Sequence, residues 1–270
     1  MQDVPIVSVI LATFNEPKGL ILESIDSILN QSLKDLELLI VDDSTNNETK
    51  TAIDQRSQSD ERIKVHRSNK VRGFAKSLNI GLKNARGKYI ARMDADDIAL
   101  RPRLDIQVKF LEENPKYSLL GGSMNIIDEN GKIISKRDYP RSSLGLKLWT
   151  ILRNPMAHPT VMMRRSIIDN GYFYDEEFPK AEDLELWLRL MRNNFKIYNL
   201  RDVLVNYRII GNLSTKRVGE NFIYNYKARC KNFSWRSPFS GLISLFIAKI
   251  YTLLPKYVVS RAYSLRKKKI

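Results

Sequence analysis

The chain has 270 residues, long enough to bury a full α/β core and still hold an appendage. One cysteine, Cys230, and two histidines, His66 and His158, argue against a zinc site, and with no secretory pattern at Met1-Gln2-Asp3 they point to a reducing cytoplasm. The net charge of +15 is concentrated, because residues 221–270 hold eleven Lys or Arg and no Asp or Glu, leaving +4 for residues 1–220.

In chain order, Pro5 to Thr13 is a β-rich run that ends in Phe14-Asn15-Glu16-Pro17, a turn and helix-start signal. Leu20, Ile21, Ile25, Ile28 and Leu29 then recur at helical spacing. A second β-rich run, Leu36 to Val41, ends in Asp42-Asp43-Ser44, and a third, Gly87 to Met93, closes on Asp94-Ala95-Asp96-Asp97. Strands alternating with helices imply a parallel sheet covered on both sides, whose ligands bind beyond the carboxyl ends of the strands. All three polar clusters sit at that edge. Three carboxylates at the end of a buried strand repel one another, and an apolar flank raises their pKa, so the cluster calls for a cation. Hard oxygen ligands suit Mg²⁺ or Mn²⁺. The plainer alternative is that these aspartates cap the next helix.

Further along, Asp128 to Lys132 between two β-rich runs reads as a hairpin turn. His158 lies in the loop Asn154 to Thr160, which leads into Val161-Met162-Met163. Helical spacing returns at Leu184, Leu186, Trp187, Leu190 and Met191, with Glu182-Asp183 in the first turn, where acids favour the helix dipole. The longest apolar stretch, Gly241 to Leu254, is interrupted by Lys249 and followed by Pro255, so no run reaches the roughly 18 residues of a membrane span. Wound as a helix, it puts Ser244, Lys249 and Thr252 on one side and Leu242, Leu245, Phe246, Ile250 and Leu253 over much of the rest. Lys256 to Ile270 forms a second amphipathic pattern. Both fit helices lying in an anionic membrane interface; the alternative is a pair of helices docked on the main domain.

The segments VSVILATFNEP, LLIVDDST, GFAKSLNIGLKNARGKYIARMDADD and AEDLELWLRL resemble the successive signatures of the glycosyltransferase family 2 catalytic domain, over roughly residues 5 to 210. The bacterial enzymes of capsule, O-antigen, colanic acid and amylovoran assembly are similar. The resemblance implies an α/β GT-A fold, Rossmann-like, with a mainly parallel sheet and flanking helices. It implies a catalytic domain over 1–220, divided into a nucleotide-sugar half (1–123) and an acceptor half (124–220), before a basic amphipathic tail (221–270).

The implied activity is inverting, metal-dependent transfer of a hexose, glucose or galactose, from a UDP-sugar to a GlcNAc or GalNAc carried on undecaprenyl diphosphate, or to a growing oligosaccharide, forming a β-glycoside with Mn²⁺ or Mg²⁺. By resemblance, Asp96 is the metal ligand with Asp94 as its partner nearer the ribose, and Asp97 faces the donor sugar. Thr13, Asn15 and Glu16 line the nucleotide pocket, Asp42 or Asp43 accepts from the uracil imide, and Arg72 meets the diphosphate. Asp183 is the general base, with Glu182 beside it, while His158 and Arg208, with Tyr207 and Ser214, approach the acceptor or the donor phosphates. The QXXRW element of processive synthases is missing and no multispan region follows, so one sugar is added per encounter. The expected location is the cytoplasmic face of the bacterial inner membrane, held peripherally by the tail. Two rival readings are a nucleic-acid-binding module built on the basic, aromatic tail and an inactive membrane adaptor. Acidic clusters at three strand ends disfavour the first, so nucleic acid is not an expected partner, and intact candidates at each catalytic position disfavour the second.

Overall fold

A computed structural model describes residues 4–68, 71–210, 218–233 and 238–253. Strand β1 (Val7–Thr13) leads through α1 (Lys18–Leu29) to β2 (Leu36–Asp42), α2 (Asn47–Gln58), β3 (Ile63–Arg67), α3 (Phe74–Asn84) and β4 (Tyr89–Asp94). Next come β5 (Ile98–Ala99), α4 (Arg103–Glu113), β6 (Leu119–Ile127), β7 (Ile133–Arg137) and α5 (Ser143–Leu152). A short 3-10 turn (His158–Thr160) precedes β8 (Met162–Arg164), α6 (Ser166–Asp169), α7 (Glu182–Arg192) and β9 (Ile197–Arg208). Two tail helices follow, α8 (Val218–Lys231) and α9 (Pro238–Leu253).

The strands form one sheet in the order β3-β2-β1-β4-β8-β6-β9-β5, with β7 paired to β6. The first four are parallel, whereas β8 runs antiparallel to both β4 and β6. Every residue of β1 and β2 is buried, because helices cover both faces and neither face can afford a polar alternation. The side-chain period of two still sorts them. Val9 and Leu11 join Ile21, Ile25, Leu38 and Met93 on one face, while Ile10 joins Leu78, Leu82, Ile90 and Trp187 on the other. Each such aliphatic side chain contributes about 1.5–3 kcal/mol. Close approach of α3 to β1 depends on Gly81, where an added Cβ would lie 2.5 Å from Ile10 Cγ2.

The parallel register sets Thr13 opposite Asp42 and Ala12 opposite Asp94, so the three polar clusters reach the same sheet edge. The aspartates after β4 do not cap a helix. They lead into β5, which pairs with β9, and α4 begins only after Pro102. The Asp128–Lys132 hairpin forms between β6 and β7, with Gly131 at φ 82°. The expected divisions at residues 123 and 220 fall inside β6 and α8 respectively.

In the tail, α9 packs on α8 and α5. Its orientation differs from the one read in sequence. Ser244 is buried, accepts from Arg229 Nη1 at 2.8 Å and donates to the Ile151 carbonyl at 3.0 Å, whereas Leu242, Phe246, Ile250 and Leu253 are exposed. A serine with two buried partners outweighs its nominal polarity. No helix among the described residues is long and apolar enough to cross a membrane. The expected helix over 256–270 and Ser214 lie outside the described residues.

Candidate active site

The first corner of the site is the turn after β1. Asn15 adopts a left-handed φ of 61°, a conformation its short amide side chain tolerates. That amide does not cap α1. Its Oδ1 accepts from the backbone N–H groups of Thr45 (2.8 Å) and Asn46 (3.0 Å), tying the end of β1 to the loop after β2. Glu16 accepts from the Thr13 hydroxyl and from Phe14 N (2.6 Å).

At the end of β2 the two aspartates have separate partners. Asp42 is fully buried and accepts from Ser44 N and Arg67 Nε, both at 2.8 Å. Asp43 accepts from Arg72 Nε (2.6 Å), Arg72 N (3.1 Å) and Ser77 Oγ (2.7 Å). Arg72, expected at the diphosphate, is thus placed against Asp43, and its remaining Nη2 donates to the carbonyls of Asp42 and His66.

The third corner holds a residue that the sequence reading passed over. Arg92, 4% exposed, grips both oxygens of Asp94 with its two terminal nitrogens and lies 5.3 Å from the Phe74 ring. The cation demanded by the acidic tetrad is partly supplied by this guanidinium. Asp96 has less compensation; burial, then the charges of Asp94 and Glu16, push its carboxyl up to about 6. Asp97 is wholly buried, and its Oδ1 accepts from Arg208 N at 2.8 Å. Its Oδ2 has no hydrogen-bond partner among the described residues. Burial and the two neighbouring aspartates hold it well above the usual carboxylate range.

Arg208 is a buried tie rather than a free cation. Its Nε donates to the Asp96 carbonyl (3.0 Å), Nη1 to the Glu129 carbonyl (3.0 Å) and Nη2 to Glu23 Oε2 (2.5 Å).

The start of α7 comes within reach of the Asp94 and Arg92 charges. Ala181 precedes it at φ 59°, a left-handed conformation that costs an alanine roughly 1–2 kcal/mol and turns the next two acids inward. Asp183 accepts from the Asn154 amide and from Leu184 N at 2.7 Å. Burial raises its pKa, while these two bonds and Arg92 oppose the rise. Glu182 is pushed up to about 8, by burial first and the Asp183 charge second.

His158 Nδ1 lies 3.8 Å from Glu182 Oε1, and its Nε2 is 2.8 Å from the Tyr174 hydroxyl. Enclosed by Phe74, Tyr174 and Trp187, the imidazole titrates well below its usual range because burial, then the Arg92 charge, disfavour the cation. It is therefore a neutral hydrogen-bonding group.

One electrostatic fact unites these parts. The Arg92 charge acts on Asp96 and Asp97 on one side and on Glu182 and Asp183 on the other. Arg92 was legible as an arginine two residues before Asp94, because i and i+2 share a strand face. Asn154 and Tyr174 carried no such signal.

Among the described residues, no group of three or more His, Cys, Asp or Glu side chains is arranged to hold a metal ion. The chemistry of this edge is that of an acidic cluster partly neutralised by Arg92, with the buried, hydrogen-bonded Asp183 carboxylate within reach of the same charge.

Comparison with known proteins accounts for this arrangement. The profile of Glycosyl transferase family 2 matches residues 8–171. A glycosyltransferase of Methanocaldococcus jannaschii is 33% identical, covering 96% of this chain and 94% of its own. The O-antigen biosynthesis glycosyltransferase WbnJ of Escherichia coli is also 33% identical, over 78% of this chain and 82% of its own. The crystal structure of S. aureus TarS (residues 1–349) with UDP-GlcNAc superposes with a TM-score of 0.70 at 22% identity, covering 90% of this chain and 72% of that one. The mannosyltransferase PcManGT of Pyrobaculum calidifontis, with GDP-Man and Mn²⁺, gives 0.67 at 17% identity over 98% and 74%. With a family profile matched over more than half of its length and relatives a third identical over nearly all of it, the chain is an enzyme of glycosyltransferase family 2 with the GT-A fold.

Proposed function

We propose that this enzyme moves a hexose from a UDP-sugar, with inversion and one sugar per encounter, to a saccharide carried on a lipid diphosphate during surface-polysaccharide assembly. The observation that carries the reading is that the Asp94–Asp97 carboxylates and the Asn154-held Asp183 lie within reach of one buried cation, Arg92. The name of WbnJ supports a polysaccharide setting, and the UDP-GlcNAc complex of the fold neighbour supports a UDP donor.

The residues fit a small divalent ion. Asp96 offers a hard oxygen donor at a point where negative charge is under-compensated, and such ions take one or two carboxylates and complete their shell with water and phosphate oxygens. Asp96 with Asp94 would hold Mn²⁺ or Mg²⁺, as the Mn²⁺ of PcManGT supports. When bound, the ion supplies Lewis-acid stabilisation of charge on the departing diphosphate.

The chain's own groups do the rest. Asp43, slightly exposed where Asp42 is fully covered, is the better placed to accept from the uracil imide, with Thr13, Asn15 and Glu16 forming the neighbouring wall. Arg72 orients Asp43. Asp183 takes the proton of the acceptor hydroxyl as that oxygen bonds to the anomeric carbon and the bond to the diphosphate breaks, so an α-linked donor gives a β-glycoside. Glu182, its carboxyl pushed up by burial and the Asp183 charge, is biased toward the neutral form and so adds little charge beside the base. Neutral His158 keeps Tyr174 and the α7 start in register.

For the acceptor, the acid-free basic tail and the exposed apolar side of α9 support a peripheral seat on the anionic membrane surface where lipid-linked saccharides lie. Purified enzyme should release UDP from UDP-glucose or UDP-galactose when given a lipid-diphosphate GlcNAc or GalNAc acceptor and Mn²⁺. Turnover confined to GDP-sugars would overturn the donor assignment.

A further inference from the structure

An apolar surface spans two helices, one of which lies outside the basic tail. On α9, Leu242, Phe246 and Leu253 are 54%, 68% and 72% exposed, and on α5, Leu144 and Leu148, one turn apart, are 67% and 57% exposed. The two helices are joined from within by polar groups. Arg229 of α8 donates to the Thr150 carbonyl and to Ser244 Oγ, and Ser244 donates to the Ile151 carbonyl. Polar residues thus face inward at this joint and large apolar ones outward, the reverse of a helix that has buried its apolar side. Basic groups, and no acidic ones, lie on or next to the same two helices. Lys147 is exposed on α5, the Arg153 guanidinium lies 4.7 Å from the Trp149 ring, and Lys249 lies 5.3 Å from the Tyr226 ring.

We propose that α5 and α9 act as one rigid face for an anionic bilayer surface, so that α5, and not the tail alone, seats the enzyme on lipid. This rests on the membrane reading of the acceptor given above. A bilayer is the occupant that the charge selects: apolar burial combined with a basic, acid-free surround matches an anionic lipid interface. A second copy of the same face would bring like charges together.

The placement also has a chemical meaning. Residue α5 ends at Leu152, and Asn154, two positions later, holds Asp183. The lipid-contacting face is therefore continuous with the support of the base. A lipid-anchored acceptor would approach Asp183 along the same side on which its anchor is embedded.

The test compares three full-length proteins, wild type, Leu144→Glu/Leu148→Glu and Phe246→Glu/Ile250→Glu, by co-sedimentation with phosphatidylcholine vesicles with and without about a third phosphatidylglycerol. Both variants should lose at least about tenfold in partitioning to the anionic vesicles, since each introduces charge into the apolar face. Transfer to a short water-soluble acceptor should be unchanged. In a Cys230→Ser background, a bimane on Leu148→Cys should shift to the blue on vesicle addition. Normal binding by the α5 variant, with loss only in the α9 variant and no bimane shift, would overturn the composite face and leave the tail as the sole anchor. Normal binding by both variants would likewise overturn the face, whereas no binding by wild type would overturn the membrane reading itself. A dimer of wild type that the α5 variant dissolves, seen by light scattering without vesicles, would assign the face to self-association and also refute the proposal.

Discussion

Asn154→Ala offers a test of the base that does not remove the base. The Asn154 amide is one of the hydrogen bonds that stabilise the ionised Asp183 carboxylate against its burial; the others come from Leu184 N and from the Asp183 backbone N–H. A hydrogen bond to a buried charge is worth about 1.5–3 kcal/mol, and a pKa moves by one for each 1.36 kcal/mol, so its loss should raise the Asp183 pKa by roughly one to two. The base accepts a proton only when ionised. The acidic limb of the kcat/KM profile should therefore move to higher pH by about that amount, with activity recovering toward the plateau in alkali. Asp183→Asn is the companion variant. It should lower kcat by about a hundredfold to ten-thousandfold at every pH, or about 3–5 kcal/mol of barrier, while calorimetry with UDP and Mn²⁺ shows nearly unchanged affinity. A limb that stays in place or moves to lower pH in Asn154→Ala, or an Asp183→Asn enzyme with half its rate, would refute the assignment.

Asp96→Asn should reduce turnover by at least about a hundredfold, and EDTA should abolish wild-type activity until Mn²⁺ or Mg²⁺ is restored; full activity in EDTA would dismiss the metal role. Glu182 is raised from 4.5 to about 8 in the folded state, so its contribution to stability is complete below about pH 4.5 and is lost as pH rises through about 8. Glu182→Gln should accordingly gain in unfolding free energy over wild type, and so in Tm, as pH rises from 6 to 9, by on the order of 3 kcal/mol, and a pH-independent difference would contradict the burial argument. Arg92→Met leaves Asp94 without its partner and should cost about 2–3 kcal/mol in urea unfolding, less than a fully buried pair would lose because Asp94 is 23% exposed. Adding Asp94→Asn should recover most of that loss, and an equally unstable double variant would show that Arg92 acts through something else.

What was legible in the sequence were the features that repeat or cluster. The buried strands announced themselves as apolar runs, and the polar clusters at their ends fixed one edge of the sheet before any coordinates. Glu182 and Asp183 stand out as two acids at the start of an amphipathic helix, a pattern that a helix dipole alone explains, so it is the family resemblance that singles out Asp183. Long-range pairing was not legible. Nothing local says that Asp43 meets Arg72 and Ser77, that Asp183 is held by Asn154, or that Arg208 is consumed by carbonyls and Glu23. The tail shows the same limit from the other side. A helical wheel ranks Ser244 as outward because it is polar, but the carbonyl of Ile151 and the guanidinium of Arg229 make inward the better place.

Arg208 has a consequence for how the molecule assembles. Its contacts reach Glu23, 185 residues earlier, and the Asp96 carbonyl, 112 residues earlier, while its backbone N–H holds Asp97. Contacts of such separation carry a large loop-closure entropy and form late. During synthesis, the strands β1 to β4 can pair through nearby segments, but the loop that follows Asp94 has no final anchor until β9 has emerged. Completion of the acidic edge is thereby deferred until β9 is in place, so a nascent chain that stops short of it holds no finished site.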